Sequence, residues 1–116
     1  ESLLAAGATY PTRILVNKGR RMVTLKVEDI IWVEAAGDYS QLHVGQEVFL
    51  SNYGISAIAE KLDPQVFIRV HRSSIINLQR IQEVHRYSKS YDVVMENDTV
   101  VRVSRGYMEK FKDITF

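Results

Sequence analysis

The 116-residue sequence has no cysteine, only two prolines and no long apolar run. Without cysteine, disulfide bonds and thiolate zinc sites are excluded. No apolar stretch approaches the roughly 20 residues that a membrane-spanning helix requires. The six glycines stand singly, so there is no glycine-rich loop of the kind that binds nucleotide phosphates. These absences favour a cytoplasmic protein that does not bind nucleotides.

Two further absences concern catalysis and metal binding. The three histidines, His43, His71 and His85, are far apart in the sequence and form no motif with metal-ligand spacing. Ser73, His71 and Asp92 are the residue types of a hydrolase triad, but no Gly-x-Ser-x-Gly turn accompanies them. We therefore predict no enzymatic activity, no metal and no cofactor.

The composition indicates one globular domain. Hydrophobic residues make up 46% of the chain and charged residues 25%, which is typical of a folded protein with a real core. Residues 1–10 have no basic segment and are too short for a signal peptide. We interpret them either as a linker or as an artificial remnant attached to a piece of a longer protein, which leaves residues 11–116 as the domain.

Residues 67–82 are the most informative segment that is present. They contain three arginines and no acidic residue. The segment begins with an apolar strand, which is followed by a short polar corner. Arginine offers five fixed donors and serine a precise hydroxyl, which together suit an anionic ligand. A nucleic-acid backbone with base edges behind it is one ligand of that kind.

The charge distribution gives weaker support. Net charge is only +1, but residues 1–68 have six Lys/Arg against eight Asp/Glu, whereas residues 69–116 have nine against six. Such asymmetry is a hint of nucleic-acid or membrane contact. A solvated surface whose charges happen to segregate explains it equally well.

The hydrophobic pattern predicts a mostly β fold. Strands are expected at 13–17, 22–27, 30–35, 39–44, 47–50, 81–87, 91–95 and 100–103, with turn-forming residues between them. One helix is predicted over 55–62, where Ile55, Ile58 and Leu62 form an apolar stripe. Asn52 or Ser51 is available as its N-cap. A last short helix is predicted from Ser104 towards residue 111.

Three polar corners follow predicted apolar strands, at residues 34–41, 71–74 and 103–107. Tyr39 can be explained as a rim aromatic that packs on the sheet, and His71 as a hydrogen-bonded structural imidazole. Arg72 and Arg105 are either ligand contacts or ordinary surface charges, and the residues alone leave both readings open.

Five pieces of the sequence resemble one family in their order and spacing. They are residues 32–39 (WVEAAGDY), 62–64 (LDP), 67–73 (FIRVHRS), 76–77 (IN) and 103–105 (VSR). Together they resemble LytTR, the DNA-binding domain of LytR/AlgR-type bacterial response regulators, and the resemblance extends over residues 11–113. It implies small stacked antiparallel sheets with one short helix between them and a short C-terminal helix.

The resemblance also implies a function and a set of contacts. Members bind double-stranded DNA sequence-specifically through loops that enter successive major grooves, as the output domain of a transcriptional response regulator. Carried over residue by residue, the base contacts are Ser40, Arg72 and Arg105. The backbone contacts are Ser73, Ser104 and Lys89, while Asn77 holds the corner. Because the serine is short, Tyr39 or Gln41 could replace Ser40 at the base.

The partners expected from this resemblance are DNA with repeated half-sites, a receiver domain N-terminal to residue 1, and a second copy of the domain on the same DNA. No membrane partner is expected. The main alternative is a β-rich protein-interaction module without nucleic-acid binding, in which the arginines are incidental. Single-stranded RNA binding is less favoured, because the tyrosines lie mostly near predicted turns rather than on a sheet face.

Overall fold

The computed structural model describes residues 10–116. The predicted linker, residues 1–10, lies outside the described residues except for Tyr10. Ten strands and two α-helices follow in the order β1 (Arg13–Lys18), β2 (Arg21–Lys26), β3 (Trp32–Ala36), β4 (Tyr39–Val44), β5 (Glu47–Ser51), α1 (Ile55–Lys61), β6 (Phe67–His71), β7 (Ser74–Asn77), β8 (Ile81–Arg86), β9 (Tyr91–Met95), β10 (Val100–Val103) and α2 (Met108–Lys112).

The strands form two antiparallel sheets. The large sheet has seven strands in the order β2-β1-β5-β4-β3-β7-β6, and the small sheet has three in the order β10-β9-β8. Short hairpins connect neighbours: Gly19, Gly37 and Gly45 hold φ between 57° and 65° in two-residue turns. Glycine adopts this left-handed region without steric cost, which is why it stands singly at these positions.

Two hydrophobic cores lie on opposite faces of the large sheet. Alternate residues of one strand belong to different cores: Val33 faces the first and Trp32 the second, and Ile75 and Ile76 divide in the same way. This follows from the two-residue period of a strand. The second core is closed by the small sheet and by Phe111 of α2.

The first core shows that the large sheet curls around α1. Val16 and Leu25 of the β1–β2 hairpin share this core with Phe67 of β6, although these strands lie at opposite edges of the sheet. The stripe of α1 fills the space between them, with Ile58 6% exposed and Leu62 4% exposed. The predicted mostly β class, with antiparallel sheets and two short helices, is confirmed, but α1 packs on the face of the large sheet opposite the small sheet instead of between the two sheets.

The predicted helix cap is wrong. The N-cap residue of α1 is Gly54, which makes no side-chain capping bond. The two expected caps have other partners: Ser51 accepts a hydrogen bond from the backbone of Tyr53 at 3.2 Å, and Asn52 accepts one from Asn17 at 3.0 Å. The hairpin contact across the sheet therefore outcompetes local capping.

The C-terminal region starts at the predicted residue but in a different form. Ser104 precedes a short 3-10 helix over Arg105–Tyr107, and α2 begins only at Met108. The tight first turn keeps Arg105 next to the end of β10. Other strand bounds agree with the sequence pattern to within about two residues, which is the usual uncertainty of element ends.

Candidate nucleic-acid interface

The three polar corners lie at one end of the molecule. The first corner, the β3–β4 turn, adjoins the second, the β6–β7 turn, because the backbone N–H of Ala35 donates to the carbonyl of Ser73 at 2.9 Å. The third corner follows β10, where the N–H of Ser104 donates to the carbonyl of Val70 at 2.8 Å. Backbone hydrogen bonds thus attach both outer corners to the middle one.

The β8–β9 turn lies at the same end of the small sheet as the third corner. Tyr91 pairs with Arg86 on one side and with Val103 on the other. The turn that contains Lys89 is closed by a hydrogen bond from the N–H of Tyr87 to the carbonyl of Ser90, at 2.8 Å. Lys89 is exposed at its tip, so the turn adds a cation beside the third corner.

Arg69 fixes the shape of the second corner. Its guanidinium donates to the carbonyl of His71 at 3.3 Å and to the hydroxyl of Ser56 in α1 at 3.2 Å, and it also bonds the carbonyl of Arg72. Sequence reasoning missed this role. The only hint was an arginine placed inside an otherwise apolar strand.

His71 is a structural residue of the same corner. The backbone N–H of Ser73 lies 3.1 Å from His71 Nδ1, and because an amide N–H can only donate, Nδ1 is the acceptor. The Ser73 hydroxyl is 2.9 Å from the same nitrogen and must also donate to it. The interpretation of His71 as a hydrogen-bonded scaffold residue agrees with this geometry.

Arg72 and Arg105 are exposed at their corners, and neither side chain has a hydrogen-bond or ion-pair partner within residues 10–116. Other arginines differ. Arg80 bonds Asp29 and Glu96, and Arg102 bonds Asp92 at 2.9 Å. The hydrogen bond to Asp92, together with the charge of that carboxylate, raises the pKa of Arg102. Within residues 10–116 the corner arginines therefore keep their donors available to a ligand, as do exposed arginines elsewhere such as Arg20, Arg21 and Arg86.

The structure does not present Ser40 to a ligand. Ser40 is 0% exposed, and its hydroxyl donates to the carbonyl of Tyr53 at 2.8 Å. Its neighbours Tyr39 and Gln41 point to the opposite face of β4, as strand alternation requires; Tyr39 is 49% exposed and Gln41 partly so. The expected base contact at Ser40 therefore does not fit this structure, since the hydroxyl is buried and already bonded.

The three predicted backbone contacts differ in availability. The hydroxyl of Ser73 is engaged by His71, as described above. Ser104 is partly exposed and Lys89 fully exposed, and in the part of the chain that the structure describes neither side chain has a hydrogen-bond partner. Two of the three are therefore open to a ligand without rearrangement.

We predicted that Asn77 holds the second corner, but it lies at the other end of β7. It is 0% exposed; its amide nitrogen donates to the carbonyl of Ile30 at 2.9 Å, and its oxygen accepts from the N–H of Gln79 at 2.8 Å. The role as a side-chain-to-backbone anchor is confirmed, whereas its position is corrected. Beta-strand direction puts residues 74 and 77 at opposite ends.

Two other kinds of site were sought among residues 10–116. No group of three or more His, Cys, Asp or Glu side chains is arranged to hold a metal ion. No helix in that range is long and apolar enough to cross a membrane.

Comparison with known proteins identifies a family and several relatives. The model of the family described as "LytTr DNA-binding domain" matches residues 20–115. A heme-containing CO-sensing transcriptional regulator of Paraburkholderia xenovorans, RcoM 1, is 30% identical over 96% of this chain and 44% of its own length. The sensory transduction protein LytT of Enterococcus faecalis is 32% identical over 80% of this chain and 39% of its own.

The chain thus spans less than half the length of these curated relatives. A solved structure shows the same fold: the LytTr DNA-binding domain of a Bacillus cereus protein described as a methyl-accepting/DNA response regulator superposes with a TM-score of 0.82. It is 19% identical, and the match covers 89% of this chain and 95% of that one. The chain belongs to the LytTr DNA-binding domain family.

Proposed function

We propose that the corner end of the domain reads DNA in successive major grooves, with Arg72 and Arg105 as the base-reading side chains. The observation that supports this most is their contrast with Arg80 and Arg102: both corner arginines are exposed and without internal partners. Arginine makes bidentate hydrogen bonds to guanine O6 and N7, the commonest specific contact in the major groove. The corners that carry them are fixed by backbone hydrogen bonds.

At the first corner we assign the base contact to Tyr39 and Gln41 rather than Ser40. Both side chains lie on the solvent side of β4. Glutamine can hydrogen-bond adenine N6 and N7 together, and tyrosine offers a hydroxyl at the tip of a rigid ring. Ser40 then supports the contact by holding the Tyr53 carbonyl beneath the corner.

The proposed backbone contacts are Ser104, Lys89 and Ser73. A phosphate oxygen only accepts hydrogen bonds, so each residue must donate. Ser104 and Lys89 can do so as they stand. Ser73 must first withdraw its hydroxyl from His71, but its own N–H remains on Nδ1 and preserves the corner.

Substitution of the corner arginines tests the proposal. In vitro selection from random duplexes supplies a cognate site, and fluorescence anisotropy measures affinity for it and for single-base variants. Arg72→Ala and Arg105→Ala should each weaken cognate binding by roughly 1–3 kcal/mol and relax preference at one base position. Each arginine should control a different position, since the two corners are separate.

Arg102→Ala is the matched control, because Arg102 is as exposed as the corner arginines but bonded to Asp92. It should leave base preference unchanged. Equal loss on cognate and scrambled duplexes for Arg72→Ala would remove the base-reading assignment. Selection that enriches no sequence would argue instead for a protein-interaction module.

The same proposal extends to the longer protein. We infer that this domain is the output part of a transcriptional regulator, with its signal-receiving part elsewhere in the chain. The Bacillus cereus protein is described as a response regulator, and this description favours a receiver domain as the signal-receiving part. Two copies on repeated half-sites should give selected sites with two motifs about one helical turn apart, 10–10.5 bp. A single isolated motif would contradict pairing.

A further inference from the structure

The β1–β2 hairpin carries an unpaired basic cluster that the corner contacts do not use. Residues 13–26 contain five Lys/Arg and no acidic residue. Within residues 10–116 none of the five forms an ion pair. Three of them stand at the hairpin tip, where Arg20 and Arg21 are exposed and Lys18 is partly buried. The charge count over residues 1–68 did not reveal this cluster, because acidic residues elsewhere in that half outnumber the basic ones.

The hairpin tip is structurally continuous with the first corner. Asn17 pairs with Leu50 of β5, and Leu50 pairs with Gln41 of β4. Neighbouring strands are about 4.8 Å apart, so Asn17 lies roughly 10 Å from Gln41 on the same face. A second link joins Asn17 to Asn52 through their side chains at 3.0 Å. Because β1 and β5 are antiparallel, the chain continues from Asn17 towards Phe49 and Val48, so the tip points away from the first corner, while the groove beside it still reaches Gln41.

One of the three cations at the tip has an internal contact, whereas Arg20 and Arg21 are exposed. Lys18 Nζ lies 4.8 Å from the ring centroid of Phe49, within the range of a cation–π contact. A shallow groove next to it is lined by Lys18, Arg21 and Gln41, among others. A step of about 10 Å spans roughly three phosphates of one DNA strand. The tip thus lies within reach of a backbone whose bases contact the first corner.

We propose that the tip of the β1–β2 hairpin is a second, sequence-independent DNA contact, in which Lys18, Arg20 and Arg21 bind the phosphate backbone flanking the recognised bases. This rests on the proposed function of the corners. It predicts a footprint longer than the bases that determine specificity, since phosphate contacts position a protein on DNA without reading sequence.

A protein partner is the competing occupant of this surface, since Leu15 and Met22 on the same hairpin are 64% and 54% exposed. Charge favours DNA. DNA interfaces are much more positively charged than protein–protein interfaces. The cluster has no acidic residue over its 14 positions, and it continues a surface that belongs to a DNA-binding family.

The test compares two duplexes that carry the same selected site. One extends about 10 bp, a helical turn, beyond the first-corner side of the site, and the other ends at the site. Binding of the 116-residue chain is measured by anisotropy across a range of salt concentrations. The double variant Arg20→Gln/Arg21→Gln should lower the salt slope by about 2 on the long duplex, and leave base discrimination unchanged. On the short duplex the variant should match the wild-type protein.

Two matched variants control for charge and for folding. Lys110→Gln/Lys112→Gln removes the same charge from exposed positions of α2 and should keep the wild-type slope on both duplexes. Arg20→Lys/Arg21→Lys keeps the charge at the tip and should retain most of the slope. Thermal melts of each variant establish that the chain is folded.

A hairpin variant with the wild-type slope on the long duplex overturns the inference and leaves the surface to a protein partner. A loss that is equal on both duplexes, or that the α2 variant reproduces, also overturns it, because the effect is then one of overall charge. If Arg72→Ala still relaxes base preference, the corners keep their proposed function. If the wild-type protein binds neither duplex, the proposed function itself fails.

Discussion

The two ends of β7 use polar residues in opposite ways. At its end, Asn77 and Arg80 are fully engaged: the amide bonds Ile30 and Gln79, and the guanidinium bonds two carboxylates and a carbonyl. At its start, Arg72 has no side-chain partner in the described residues. The comparison shows that polar side chains with internal hydrogen bonds stabilise the fold. Side chains of the same kind without internal partners stay available to a ligand.

A second contrast lies within the ligand end itself. Arg69 and Arg72 are three residues apart. Arg69 donates hydrogen bonds to the corner backbone, whereas the side chain of Arg72 makes none within residues 10–116. Their functions depend on side-chain direction, which alternates along β6 and is then changed by the turn. Arg69 holds the corner together, and Arg72 is left exposed on it. Five substitutions and one control variant sharpen these comparisons.

The largest expected effect is at the engaged end of β7. Asn77→Ala should lower the free energy of unfolding by about 3 kcal/mol, because the Ile30 carbonyl and the Gln79 N–H both lose buried partners. Urea denaturation measures it. The exposed Asn52 provides the control, since Asn52→Ala should cost well under about 1 kcal/mol. Equal costs for the two variants would show that burial does not distinguish these amides.

Ser40→Ala should come next, because it breaks a buried hydrogen bond to Tyr53. We expect a loss of about 1–2 kcal/mol in unfolding free energy with base preference retained by the folded protein. Gln41→Ala should do the reverse, leaving urea stability nearly unchanged and relaxing preference at the position read by the first corner. A change in base preference from Ser40→Ala alone would restore Ser40 as the contact.

Arg69→Met should separate the building of the corner from its use. The variant retains the apolar stem but loses the donors to His71, Arg72 and Ser56, so we expect cognate affinity to fall by about 1 kcal/mol, roughly fivefold. The cause is a loosened loop, so the site recovered by in vitro selection should be unchanged. Recovery of a different base at the Arg72 position would indicate that Arg69 itself contacts DNA.

Lys89→Ala should have the smallest and least specific effect. Loss of one phosphate contact weakens cognate and scrambled duplexes alike and reduces the salt slope by about 1. Anisotropy titrations at several salt concentrations measure both. A preference for particular bases that disappears in this variant would contradict a backbone role for the β8–β9 turn.

Much of the fold was predictable because its determinants are local. The strands at 39–44, 91–95 and 100–103 have the predicted bounds, since alternating apolar residues and turn-forming residues specify them over a few positions. The α1 stripe was equally clear. The helix cap was not, because Asn52 is occupied by Asn17, a residue 35 positions away whose approach no local pattern reveals.

The candidate site was predictable in outline and not in detail. The basic corner at residue 72 and the family resemblance identified Arg72 and Arg105 as exposed arginines on corners, and the structure has both exposed. The sequence does not say which face of β4 is covered, and a shift of one position changes the face of a strand residue. The tertiary structure puts Ser40 on the buried face, with its hydroxyl bonded to the Tyr53 carbonyl, and this is why we assign the base contact to its neighbours.

The sequence by itself determined the strand pattern, the absence of cysteine chemistry, the basic corner after β6 and the family resemblance, because each depends on residue type and short spacing. Tertiary structure decided which polar residues remain available. The curl of the large sheet, the hydrogen bonds of Arg69 and Asn77, and the position of the β1–β2 hairpin beside β5 join residues distant in sequence. The availability of a side chain to a ligand depends on those partners, so it emerges only when the chain is folded.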